Sequence, residues 1–60
     1  MKAIVTKVDK YEERIYVRVR RASKTERLDL FRAGHLLNEL KVGQEIEVTR
    51  KTNSPFLYIA

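Results

Sequence analysis

Apolar and polar residues alternate along much of this chain, with breaks at short intervals. Over Arg14–Arg20 the alternation is strict. Ile15, Val17 and Val19 fall on one side, and Arg14, Tyr16, Arg18 and Arg20 on the other. A period of two is the signature of a strand with one buried face. Gln44–Arg50 repeats it, with Ile46 and Val48 inward and Glu45, Glu47 and Thr49 outward. Lys2–Asp9 also reads as a strand, but with apolar residues on both faces. Ile4 and Val8 lie on one, Ala3 and Val5 on the other, which suits a strand buried on more than one side. Thr25–Phe31 reads as a strand with Leu28 and Leu30 inward, Arg27 and Asp29 outward, and Phe31 at the core edge. Phe56–Ile59 is the last, with Leu57 and Ile59 opposite Phe56 and Tyr58.

The breaks have turn composition. Asp9–Glu13 is polar, and Thr52–Pro55 carries Asn, Ser and Pro. Ala22–Lys24 is short and polar, so the second and third strands are expected to form a hairpin. One break is different. Ala33–Leu40 places Leu36, Leu37 and Leu40 at helical spacing. One or two turns of helix cannot stand alone in water, so this segment is expected to plug an end of the sheet. Gly43 supplies the turn that follows.

Three strands, a short helix and two strands is the element order of the OB-fold barrel. Short strands in a small chain gain most by curling on themselves, which also removes exposed edges. The alternative is an SH3-like barrel, in which the helical turn falls before the last strand. Leu40–Thr49, LKVGQEIEVT, resembles the entry to the fourth strand of many OB domains. With three strands ahead of it, the outline is similar to a trimmed barrel of the cold-shock or initiation-factor type. That resemblance implies oligonucleotide or oligosaccharide binding. The chain departs from the pattern in two places. Its second strand has one aromatic, Tyr16, and no glycine, and its first strand lacks the mid-strand glycine at which such strands bend.

Length adds a constraint: 60 residues make one domain with a small core. No cysteine is present to staple it. No apolar run approaches the roughly 18 residues of a membrane span, and the first residues lack the apolar stretch of a signal peptide. The expectation is a cytoplasmic protein without a membrane partner.

Charge changes the picture more. The net charge is +5. Residues 1–13 and 33–60 each balance, three basic against three acidic. Residues 14–32 hold seven basic residues against Glu26 and Asp29, which accounts for the whole excess. Six of the seven are arginine, the residue suited to forked phosphate contacts and to stacking on rings. Segregated charge speaks to partners rather than fold.

Catalysis finds little support. Ser23 and Ser54 lie in turns without a base beside them, and His35, the only histidine, stands among leucines. The Glu12–Glu13 and Glu45–Glu47 pairs read as solvated surface, and Gly34 and Gly43 are too isolated for a phosphate loop. No enzyme activity, cofactor or metal is expected.

The expected function is therefore non-catalytic nucleic-acid binding. Arg14, Arg18, Arg20, Arg21, Lys24 and Arg27 would meet the backbone, and Tyr16 would stack on a base. Single-stranded DNA or RNA is favoured over duplex, since the fold offers no recognition helix for a major groove. Tyr11, Phe56 and Tyr58 are candidates for further rings, although Phe56 and Tyr58 alone read as packing. A competing expectation is that Glu26 and Asp29 pair across the hairpin with Arg18, Arg20 or Arg27, making ordinary surface. Another is a protein-interaction module that docks an acidic partner. A homo-oligomer formed through strand edges is compatible with either.

Overall fold

A computed structural model covering residues 1–60 closes five strands into a barrel. The strands are β1 (Lys2–Asp9), β2 (Arg14–Val19), β3 (Thr25–Leu28), β4 (Glu45–Arg50) and β5 (Leu57–Ile59), with one helix, α1 (Leu36–Glu39), between β3 and β4. Neighbours around the barrel run β1-β2-β3-β5-β4 and back to β1, with β3 and β5 parallel and every other pair antiparallel. β1 therefore pairs on both edges, and this is an OB-like barrel. No helix is long and apolar enough to cross a membrane.

The alternation predicted the interior well where one face is buried. Ile15 and Val17 from β2, Ile46 and Val48 from β4, Leu28 from β3 and Leu57 from β5 form the core with Ala3, Val5 and Leu40. No polar or charged residue is buried with them. Leu36 and Leu37 pack against this core from the end, with Leu40, as a plug. The plug is built from tight turns. The N–H groups of Leu36, Leu37 and Asn38 donate to carbonyls three residues back, and that of Leu40 reaches four back, to Leu36.

β1 corrects the two-faced reading. Its pairing with β2 slips between Val5 and Lys7, so Thr6 is an extra residue, a β-bulge. Before it, Ala3 and Val5 point inward. After it the parity changes, and Val8 packs against the core while Lys7 is exposed. The strand is thus not buried on two faces; it switches phase. The Thr6 hydroxyl donates to the Tyr16 carbonyl at 3.2 Å, giving the disturbed ladder a partner. The bend expected of a glycine is made by this bulge instead.

Three ends differ from expectation. β2 stops at Val19, and the hairpin turn is Val19–Ala22 rather than Ala22–Lys24, closed by the Ala22 N–H donating to the Val19 carbonyl at 2.9 Å. β3 stops at Leu28 because the Asp29 carboxylate accepts the Phe31 N–H at 2.7 Å and turns the chain away. Leu30 still packs on the core, but Phe31 does not sit at its edge: it is 78% exposed. β5 begins at Leu57 rather than Phe56 and runs only three residues, with Leu57 buried and Ile59 exposed.

The seam between β3 and β5 is the thinnest part of the barrel, with a single residue pair, Leu28 with Leu57. The Asp29 N–H donates to the Leu57 carbonyl there at 2.7 Å. Two side-chain contacts help it. Glu26 accepts a forked pair of hydrogen bonds from Arg50 on β4, both 2.8 Å, and the Arg27 guanidinium lies 4.9 Å from the centre of the Phe56 ring. Forked pairs of this kind are among the stronger polar contacts.

Candidate nucleic-acid interface

The register of the sheet turns scattered residues into a row. Tyr16 on β2 pairs with Lys7 on β1 and with Arg27 on β3. All three flank inward residues and so face outward. Across the thin seam, Arg27 meets Phe56. The outer face therefore carries Lys7, Tyr16, Arg27 and Phe56 in order: cation, ring, cation, ring. The Lys7 ammonium is 5.9 Å from the Tyr16 ring centre and stabilises it weakly.

Arg14 and Arg18 flank Tyr16 along β2, each about 6.8 Å away at two residues per repeat. The Tyr16 hydroxyl raises the Arg14 guanidinium above its ordinary value by a loose side-chain contact, with smaller effects from Glu12 and Asp9. Arg14, Tyr16, Arg18 and Arg27 thus come together on one outer face, as expected from the sequence.

The other three predicted residues stand at the far end of the hairpin. Arg20 and Arg21 form the centre of its turn, and Lys24 follows. With Met1, Lys2 and Val19 the two arginines line an open groove of about 360 Å³. Arg21 has φ +70° at the third position of the turn, where glycine or asparagine is usual. Arg32 has the same construction. It is the third residue of a turn closed by the Ala33 N–H donating to the Leu30 carbonyl, with φ +60°. Left-handed backbone costs an L-residue about 1–2 kcal/mol, so both arginines hold positions that the backbone alone would give to glycine.

The expected neutralisation across the hairpin does not occur. Glu26 is taken by Arg50, and Asp29 by the Phe31 N–H. Glu47 pairs with the Met1 amine at 2.6 Å and with Lys2 at 3.3 Å. His35 Nε2 lies 3.8 Å from the Glu39 carboxylate, both exposed, at the start and end of the helical turn. None of Arg14, Arg18, Arg20, Arg21, Lys24, Arg27 and Arg32 is ion-paired. Within residues 14–32, both acids, Glu26 and Asp29, are spent elsewhere.

Lys7 and the exposed position of Phe31 escaped the sequence reading, as did the cation that each ring pairs with. Lys7 lay in a segment of zero net charge, and only the bulge turns it outward. Phe31 was placed at the core edge, yet it stands in solvent with the Arg32 guanidinium 5.3 Å from its ring centre. Phe56 is half-buried under Arg27, and Lys51 lies 4.2 Å from the centre of the Tyr58 ring. Each pairing of ring with cation joins residues from different strands or from one turn, which alternation does not encode. Tyr11, 93% exposed, stands alone at the tip of the β1–β2 loop.

The fold is a small OB-like β-barrel. Comparison with protein-family models, curated proteins and solved structures finds no match.

Proposed function

We propose that this protein binds single-stranded nucleic acid without catalysis, across the outer face of the β2–β3 hairpin. The observation that carries the reading is the absence of any ion pair on the seven cations of residues 14–32, while the two carboxylates of that segment, Glu26 and Asp29, hold other partners. Uncompensated like charges on a small sheet cost stability, and a polyanion removes that cost on binding. Arg14, Arg18, Arg20, Arg21, Lys24 and Arg27 meet phosphates, and Tyr16 offers a face to a base. The alternation of ring and cation along the outer row suits a strand that exposes bases and phosphates together. Duplex DNA gains less, because the surface has no helix to place in its major groove.

The test is titration of a labelled single-stranded oligonucleotide at several salt concentrations. With five phosphates engaged, log affinity falls against log salt with a slope of roughly −3.5. Absence of binding at low salt by folded protein would sink the proposal. Equal binding to polyglutamate at the same salt would transfer the surface to an acidic protein partner.

A further inference from the structure

One cleft in the fold is left unexplained by phosphate binding. It has a volume of about 210 Å³ and lies where β3 ends, lined by Glu13, Arg27, Asp29, Phe31 and Phe56 over Leu28 and Leu30. Drug-sized sites occupy roughly 300–1,000 Å³; this one suits a single ring system. Phe31 contributes nothing to the core, being 78% exposed. Its backbone is tied by the Asp29 carboxylate on its N–H and followed by the left-handed turn at Arg32, whose guanidinium lies 5.3 Å from the ring centre. Backbone strain beside an exposed ring motivates a functional reading.

Beside Arg27, the cleft carries two carboxylates, Glu13 and Asp29, whose sign is wrong for phosphate. Glu13 has neither an ion pair nor a side-chain hydrogen bond, so both its carboxylate oxygens are free. Asp29 spends one oxygen on Phe31. A carboxylate beside a phosphate-binding face repels the backbone, but it accepts hydrogen bonds from N–H groups on a base edge. Two adjacent oxygens match two adjacent donors. Among the common bases, guanine alone presents such a pair, N1–H beside the N2 amino group. Adenine and cytosine set one donor beside an acceptor, and uracil and thymine set one donor between two acceptors.

We propose that this cleft is a guanine subsite, in which the base stacks on Phe31 and its N1–H and N2 amino group donate to the Glu13 carboxylate. The proposal rests on the single-strand reading above. Asp29 acts as a positioning residue that holds Phe31, and Arg27 and Arg32 carry the phosphates on either side.

The experiment measures anisotropy with labelled uridine oligonucleotides that carry one central guanine, adenine or cytosine. The guanine oligonucleotide binds about tenfold more tightly than the uridine-only one, the discrimination of one good bidentate contact. Glu13→Gln, which replaces one acceptor by a donor, abolishes that preference, while uridine-only binding tightens slightly as a repelling charge is removed. Phe31→Ala weakens the guanine oligonucleotide about tenfold without lowering the melting temperature. Equal binding of all four oligonucleotides, or a preference that survives Glu13→Gln, overturns the guanine subsite and leaves polyanion binding standing. Failure of every oligonucleotide to bind at low salt overturns both. Displacement of the bound oligonucleotide by arginine amide but not by guanosine monophosphate overturns it in favour of a peptide ligand.

Discussion

On the β1–β4 side of the barrel, Glu47 gathers the Met1 amine and Lys2, and Arg50 reaches from the end of β4 to fork onto Glu26. On the β2–β3 side, seven cations share no carboxylate at all. Both sides are built from the same few residue types on strands of one barrel. The difference lies in where the acids go. Glu26 belongs by sequence to the basic segment, yet it serves a cation from a segment that is formally neutral. A balance of charges counted along the chain therefore understates how bare the hairpin is. One side uses charge to close the barrel; the other leaves it unspent.

The strongest way to break this comparison is to remove the bare side. Replacing Arg14, Arg18 and Arg20 together by glutamine weakens oligonucleotide binding on the order of a hundredfold. The salt slope falls from roughly −3.5 to about −1.4. Thermal melting measured beside it holds or rises, since like charges are removed. A fall in melting temperature would mean that these arginines close the barrel too, and the two sides would not differ.

Acid sharpens the comparison from the paired side. The Arg50 fork holds the Glu26 carboxyl below its usual value, and the Met1 amine and Lys2 do the same for Glu47. A carboxylate depressed in the folded state stabilises above its unfolded value and loses that contribution as pH falls through the folded one. Melting temperature is therefore level from neutral pH downward and drops below about 4.5, the unfolded value of both groups. Glu26→Gln with Glu47→Gln lowers the neutral plateau and flattens the drop, while oligonucleotide affinity at neutral pH is unchanged. A titration of melting temperature in the double variant checks both halves.

The smallest effect separates backbone from side chain on the bare side. Arg21→Gly relieves the left-handed turn and stabilises by up to about 1 kcal/mol. That raises the melting temperature by roughly 4–8 °C in a domain of this size. The salt slope becomes shallower by about 0.7, one phosphate contact. Gain in stability with loss of binding is the expected pairing. Loss of both would make Arg21 a structural residue.

Sequence patterning revealed the fold where burial imposes a strict period. Ile15 with Val17 and Ile46 with Val48 could only face inward, and the leucines of Ala33–Leu40 could only plug an end. It failed where a single local event reset the period. Thr6 gives no glycine signal for its bulge, so Ile4 and Val8 looked like one face. Asp29 ends β3 through a hydrogen bond to Phe31, which hydropathy alone would have buried. The face of the interface on β2 was legible, since Arg14, Tyr16 and Arg18 alternate with core residues. Arg27 was legible too, as an outward residue of the third strand, and Phe56 as a candidate ring; Lys7 was not, and the alignment of all three beside Tyr16 comes only from cross-strand register and the seam. The bond between Glu26 and Arg50 spans 24 positions, beyond anything local composition can announce.

The bulge at Thr6 makes chain length a determinant of the surface. Residues on either side of it obey opposite parity along the sequence, so a regular pleat that kept Thr6 in line would carry Lys7 into the barrel and Val8 onto the outer row. No side chain of the interface would have been mutated, yet the row would lose its first cation and the core would acquire a charge. The face that β1 presents is thus written in a residue count, and a single surplus position keeps it in phase.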